Sequence, residues 1–164
     1  MPPELNLDPA TLDMSRVLAD IEAIRKVNPQ RFEMEQLTAI IYVDTDRHVI
    51  AGFKDVTENE FWVRGHMPGY PLMPGVVMCE AAAQLCSYYI TSHHIMAGDF
   101  IAFGGLENVK FRGQVRVGDR LLLVAKVIKI HRRQTTCNVQ GFVNGAMVFQ
   151  ADVIGMPVYR REGS

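Results

Sequence analysis

The 164-residue chain has few of the features that would send it to a membrane, an oxidising compartment or nucleic acid. No run approaches the roughly 18 apolar residues that a bilayer-crossing helix needs, so no membrane insertion is expected. The start, Met1-Pro2-Pro3-Glu4, has neither a basic stretch nor an apolar run behind it, so no secretory leader is expected either. There are three cysteines, Cys79, Cys86 and Cys137, and no CxxC pair. That spacing signals neither a zinc site nor a redox motif, and it fits reduced thiols used as small apolar residues in a cytoplasmic protein. A formal net charge of -1 gives no global attraction to nucleic acid or to an acidic membrane surface. What remains is an ordinary globular composition, 48% hydrophobic and 21% charged, in a length that suits one domain with a real core.

Residues 1–14 are proline-containing and aperiodic and read as a loose extension ahead of a single domain, 15–164. Val17, Leu18, Ile21, Ile24 and Val27 fall at helical spacing, which predicts a helix over 15–27 stopped by Asn28-Pro29. Segments 38–43 and 48–53 are rich in β-branched residues and read as strands joined by a turn. A second helix is predicted over 76–90. Strands follow over 101–103, 107–111 and 120–130. Over 135–143 the odd positions are mainly apolar and the even ones mainly polar, the mark of a half-buried strand. Asn144-Gly145 is a strong hairpin signal, and Met147, Phe149, Ala151 and Val153 continue the alternation beyond it. One long helix followed by long antiparallel strands implies an α+β domain, a curved sheet around a central helix.

The second helix carries the chemistry. From Val76 to Cys86 it is apolar on all sides, as in a helix buried all round, yet it contains Glu80. A lone buried carboxylate is costly, so it must be paired, protonated or led to the surface. Gln84 lies one turn on and can hydrogen-bond to it. A carboxyl kept neutral in an apolar pocket is also how proteins make a general acid, and the helix by itself leaves both readings open. His66 supplies a partner. It sits in Gly65–Gly75, a segment with three prolines and three glycines that has few conformations to lose. That segment ends at the helix N-terminus, where the N–H groups of Gly75 and its successors lack intrahelical partners and can face developing negative charge. A base, a carboxylic acid and oxyanion donors are the parts needed to abstract a proton beside a carbonyl and expel hydroxide as water.

The run GHMPGYPLMPGVVMCEAAAQ, residues 65–84, closely resembles the signature of bacterial (3R)-hydroxyacyl-acyl-carrier-protein dehydratases, with the spacing kept throughout. Residues 54–61, 105–112 and 117–121 resemble later and earlier blocks of the same family, so the likeness spans roughly 30–157. The resemblance implies a hot-dog fold, in which the central helix is wrapped by the sheet. It implies dimers, often assembled into trimers of dimers, with the His and Glu of each site coming from different subunits. Carried over, His66 is the base and Glu80 the acid. The Gly75 N–H polarises the thioester carbonyl, and Gln84 supports Glu80. The resemblance implies neither metal nor redox cofactor, and it implies a substrate that arrives on the phosphopantetheine arm of acyl carrier protein. The implied reaction converts 3-hydroxyacyl to trans-2-enoyl chains in fatty acid biosynthesis.

Three departures stand out. Met67 replaces the family's usual Phe and is expected to alter the acyl tunnel wall. Met78-Cys79 replaces aliphatic residues. Residues 28–34 replace a common entrance block. Two other readings stay open, a hot-dog acyl thioesterase and a non-catalytic acyl-binding or scaffold subunit. Lys110, Arg112, Arg132, Arg133, Arg160 and Arg161 are candidates for docking an acidic carrier protein. His93 and His94 are poor metal ligands, since neighbours on a helix diverge, and they suit a helix C-terminus better.

Overall fold

Alternation of side chains decides the sheet. The computed structural model describes residues 2–162. Its strands are β1 (Ala39–Asp44), β2 (Val49–Asp55), β3 (Phe100–Phe111), β4 (Arg120–Ile130), β5 (Thr135–Val143) and β6 (Ala146–Val158). They form one antiparallel sheet in the order β1-β2-β4-β5-β6-β3, so β1 and β3 are its edges. Residues Leu121, Leu123 and Ala125 of β4 point inward and join the main core, while Leu122 and Val124 point outward into a second cluster. β4 is thus apolar on both faces, as a central strand covered on both sides should be.

The helix α2 (Gly75–Ser92) lies on the inner face. Ala81 and Ala82 are fully buried and let the strands approach. Leu85 and Tyr89 are fully buried beside them. Burying a leucine of this kind contributes roughly 1.5–3 kcal/mol. This is the α+β hot-dog arrangement that the resemblance implied. The Asn144-Gly145 hairpin is present, with φ of 49° and 79°, the left-handed pair that a two-residue turn between twisted strands requires. No helix among the described residues is long and apolar enough to cross a membrane.

Several expectations need correction. The helix predicted over 15–27 shrinks to α1 (Ile21–Arg25). Ahead of it the chain is claimed by the sheet. Leu18 and Ala19 donate to the Ile40 carbonyl, and Asp20 then caps α1 through Ala23 N–H. The two strands expected over 101–103 and 107–111 are one. Gly104-Gly105 and Asn108, at φ 53°, absorb two bulges without ending it. Helix α2 is not buried on every side, for Val76 is 77% exposed and Glu80 and Ala83 are half-buried. The N-terminal segment, expected to be loose, lies against the outer sheet face. Asn6 donates to the Asn138 side chain and to the carbonyls of Asn138 and Val124, and its own N–H reaches Gln140. Leu7, Leu12 and Met14 pack on the outer cluster.

Candidate active site

Rigid turns bring His66 to the N-terminal end of α2. Thr57 and Glu60 close a turn, in which the Glu60 carboxylate accepts from both the N–H and the hydroxyl of Thr57, at 2.9 and 3.0 Å. The turns that follow end on the Trp62 carbonyl, which accepts from Gly65 and His66 N–H. Trp62 is buried in the main core. Beyond His66 the loop folds back, so that Leu72 N–H donates to the His66 carbonyl at 2.7 Å. The His66 ring is fixed by the same residue, with Nδ1 2.7 Å from the Leu72 carbonyl oxygen. A carbonyl can only accept, so Nδ1 carries the hydrogen and Nε2 keeps its lone pair free for a substrate proton. Farther along, the Tyr70 hydroxyl donates to Gln114, and the Arg116 guanidinium lies 4.4 Å from the Tyr70 ring centre, which pins the loop tip.

Gly75 opens α2. Among the described residues its N–H and that of Val76 have no hydrogen-bond partner, while Val77 and Met78 donate to Pro74. A Cβ on Gly75 would lie 2.7 Å from the Phe111 ring, so any side chain there would have to displace that ring. His66, Pro74, Gly75, Val76 and Phe111 line an open cavity of about 420 Å³. Met67 is half exposed and lines neither this cavity nor the next.

Glu80 lines a different, more enclosed cavity of about 270 Å³, together with Ala83, Ser87, Ile90 and residues 100–103 of β3. Gln84 Nε2 donates to Glu80 Oε1 at 2.9 Å, the contact expected from their spacing. Gln84 is itself locked by residues 28–36. Its Oε1 accepts from Gln36 N–H at 2.8 Å, its amide donates to the Met34 carbonyl, and its backbone carbonyl accepts from Asn28 at 3.0 Å. The backbone donor fixes which end of the amide faces Glu80. Cys86 also lines this cavity. Its hydrogen bond with Cys137, together with full burial, holds its thiol well above the ordinary range, so it is no nucleophile at neutral pH.

Both halves are therefore built, yet they line separate cavities at opposite ends of β3. The Glu80 cavity adjoins Phe100–Phe103 and the His66 cavity adjoins Phe111. The docking candidates scatter likewise. Exposed Lys110 and Arg112 lie by the His66 end, Arg160 follows β6 beside Asp99 near the Glu80 end, and Arg132 and Arg133 sit on the β4–β5 hairpin. His93 is the C-cap residue of α2, its ring against the Tyr89 carbonyl, and no group of three metal-ligating side chains occurs among the described residues. Sequence reasoning missed the part played by Gln36, Met34 and Trp62. Only the Thr57–Glu60 spacing signalled any of this locally.

A model of the FabA-like domain matches residues 28–152. The 3-hydroxyacyl-[acyl-carrier-protein] dehydratase FabZ of Desulforamulus reducens is 33% identical over 137 residues, 84% of this chain and 96% of that protein. FabZ of Streptococcus thermophilus is 39% identical over 121 residues, 74% of this chain and 83% of that protein. Among solved structures, the dehydratase heterocomplex ApeI:P from Xenorhabdus doucetiae superposes with a TM-score of 0.67 at 12% identity, covering 85% of this chain and 91% of that one. Cj0977, a sigma28-regulated virulence protein from Campylobacter jejuni, gives 0.66 at 18% identity, with coverage of 89% and 95%. At these identities the structural likeness speaks to the fold alone.

Proposed function

The chain belongs to the FabA-like family, and from that premise we propose that His66 and Glu80 are the base and acid of a dehydratase site shared by two subunits. The protein is a hydro-lyase of fatty acid biosynthesis that dehydrates 3-hydroxyacyl chains on acyl carrier protein. The observation that carries the site assignment is the separation of the two halves along an unpaired edge. Strand β3 has no neighbour on one side and carries exposed Phe103, Leu106 and Phe111, with exposed Val76 on α2 nearby in the His66 cavity. A bare apolar edge of this length invites pairing. Two-fold antiparallel pairing of β3 with the β3 of a second copy would set residues 100–103 of one chain against residue 111 of the other. Each Glu80 cavity would then meet the partner's His66 cavity, making two sites per dimer. By the family resemblance, such dimers often assemble further into trimers of dimers.

In this site His66 Nε2 takes a proton from the carbon beside the thioester carbonyl of a (3R)-hydroxyacyl chain. Charge builds on the carbonyl oxygen, where the free N–H of Gly75 and the N-terminus of α2 stabilise it. Glu80 in its acid form donates to the 3-hydroxyl, which leaves as water and yields a trans-2-enoyl thioester. Gln84 holds the carboxyl in aim. The proton His66 has gained passes back to the carboxylate through solvent, so the cycle balances without metal or redox cofactor. The catalytic domain is taken as 15–164, with residues 1–14 as an added segment ahead of the family match, and the reduced thiols suit the cytoplasm. In the paired dimer, Lys110 and Arg112 of one chain approach Arg160 and Arg161 of the other, a basic rim for the acidic carrier protein.

The test is to incubate the protein with 3-hydroxyacyl-acyl carrier protein and follow the products by mass spectrometry. Enoyl thioester is expected, and it should vanish in folded His66→Ala and Glu80→Gln proteins. Free acid would point instead to a thioesterase, and binding without turnover to a scaffold subunit.

A further inference from the structure

Lys54 stands where a charge is costly. Residues Ile50, Gly52 and Lys54 of β2 share one face, and Ile50 belongs to the main core while a Cβ on Gly52 would meet Leu85 of α2. Lys54 therefore projects from the helix-facing side of a strand paired on both sides. Its Nζ lies 2.8 Å from Glu60 Oε1, and the two side chains are only 10% and 9% exposed. Every other ion pair among the described residues has at least one partner more than a third exposed. A buried ion pair is a poor source of stability, since apolar residues of the same volume generally do as well or better. What it supplies is direction. Glu60 receives three donors, Lys54 Nζ, Thr57 N–H and the Thr57 hydroxyl, so the turn has one register relative to β2. From that turn the Glu60 carbonyl accepts from Val63 N–H, and Trp62, the next residue but one, accepts from His66 N–H at 2.8 Å.

We infer that Lys54 and Glu60 are positioning residues for His66: the buried pair ties the turn that carries the base to β2, a strand hydrogen-bonded on both sides. The inference rests on His66 being the base. Neither residue touches the reacting atoms. Each acts through the Thr57–His66 turn, and a small displacement of a base from its substrate is enough to cost about 10- to 100-fold in rate.

The test is the double variant Lys54→Met with Glu60→Gln. It removes both charges, keeps the volume and leaves an acceptor for Thr57. The melting temperature should equal or exceed that of the wild type. The kcat should fall about 10- to 100-fold with KM nearly unchanged, and the midpoint of the His66 Cε1–H NMR titration should move. Lys54→Arg, which keeps the charge, should retain more of the wild-type kcat than Lys54→Met. A folded double variant with wild-type kcat and an unmoved His66 titration would overturn the inference, as would a lowered melting temperature with wild-type kcat. Should the double variant fail to fold, Glu60→Gln alone is judged by kcat and the His66 titration, its melting temperature being expected to fall because the Lys54 charge is left buried without its partner. Wild type and His66→Ala run beside them. A wild type without turnover would defeat the dehydratase reading, while the His66 titration would still decide the positioning.

Discussion

The two halves of the site are held in opposite ways. Glu80 sits on a long helix and is aimed by a side chain, Gln84, whose oxygen and both amide hydrogens are all committed. His66 sits on a loop and is aimed almost wholly by backbone groups, those of Trp62 and Leu72. The acid half lines the more sheltered cavity, of about 270 Å³, and the base half the more open one, of about 420 Å³. An acid that must hold its proton benefits from shelter. A base that must reach the substrate carbon benefits from a rigid loop open to the partner chain. The contrast agrees with the proposal that one site draws on two chains, since the two cavities lie at opposite ends of β3.

The largest effects should come from the reacting groups. His66→Ala and Glu80→Gln should each lower kcat by about 10²- to 10⁴-fold with melting temperatures near wild type, read by steady-state kinetics and calorimetry. Gly75→Ala comes next. Its Cβ must push the Phe111 ring aside, so it should cost about 1–3 kcal/mol of stability and shift the oxyanion donor, lowering kcat while leaving carrier-protein binding in place. Gln84→Leu sharpens the contrast because it strips the acid half alone. It leaves Gln36 N–H and the Met34 carbonyl unpaired, at about 1–3 kcal/mol each, and should lower kcat without changing the His66 titration.

A smaller effect is pH-dependent and belongs to the base half. Burial pushes the Glu60 carboxyl up, but hydrogen bonds from Lys54 and Thr57, with the Lys54 charge, outweigh it and hold the group below the ordinary carboxylate range. A group depressed in the folded state adds stability above its unfolded pKa, and that stability is lost as pH falls through the folded value. Melting temperatures measured from neutral pH into the acid range should therefore fall less steeply in Glu60→Gln than in wild type. The smallest effect is the outer-face control. Asn6→Ala should cost about 1 kcal/mol and leave kcat untouched, since its bonds to Asn138, Val124 and Gln140 lie across the sheet from the site.

Legibility in the sequence followed range. The α2 helix, the Asn144-Gly145 hairpin, the rigid loop around His66 and the Glu80–Gln84 contact were readable because each depends on residues within a turn or two. The shortened first helix was not, because the pull on residues 18 and 19 comes from Ile40, and helical spacing carries no trace of it. Nor could spacing reveal that residues 28–36 lock Gln84, or that Lys54 faces inward, since both depend on strands and loops that meet only in the fold. The opening of α2 along Val76, Glu80 and Ala83 escaped for another reason. An apolar helix reads as fully buried, and composition alone does not separate it from a helix with one open stripe.

The most direct test of a shared site is complementation by mixing. Inactive His66→Ala and Glu80→Gln chains, unfolded together and refolded as one population, should form mixed dimers in which one site has both native residues. With random pairing, activity should return to about one quarter of wild type. A mixture as inactive as its components, with mixed dimers shown to be present, would contradict the account and place both groups of each site within one chain.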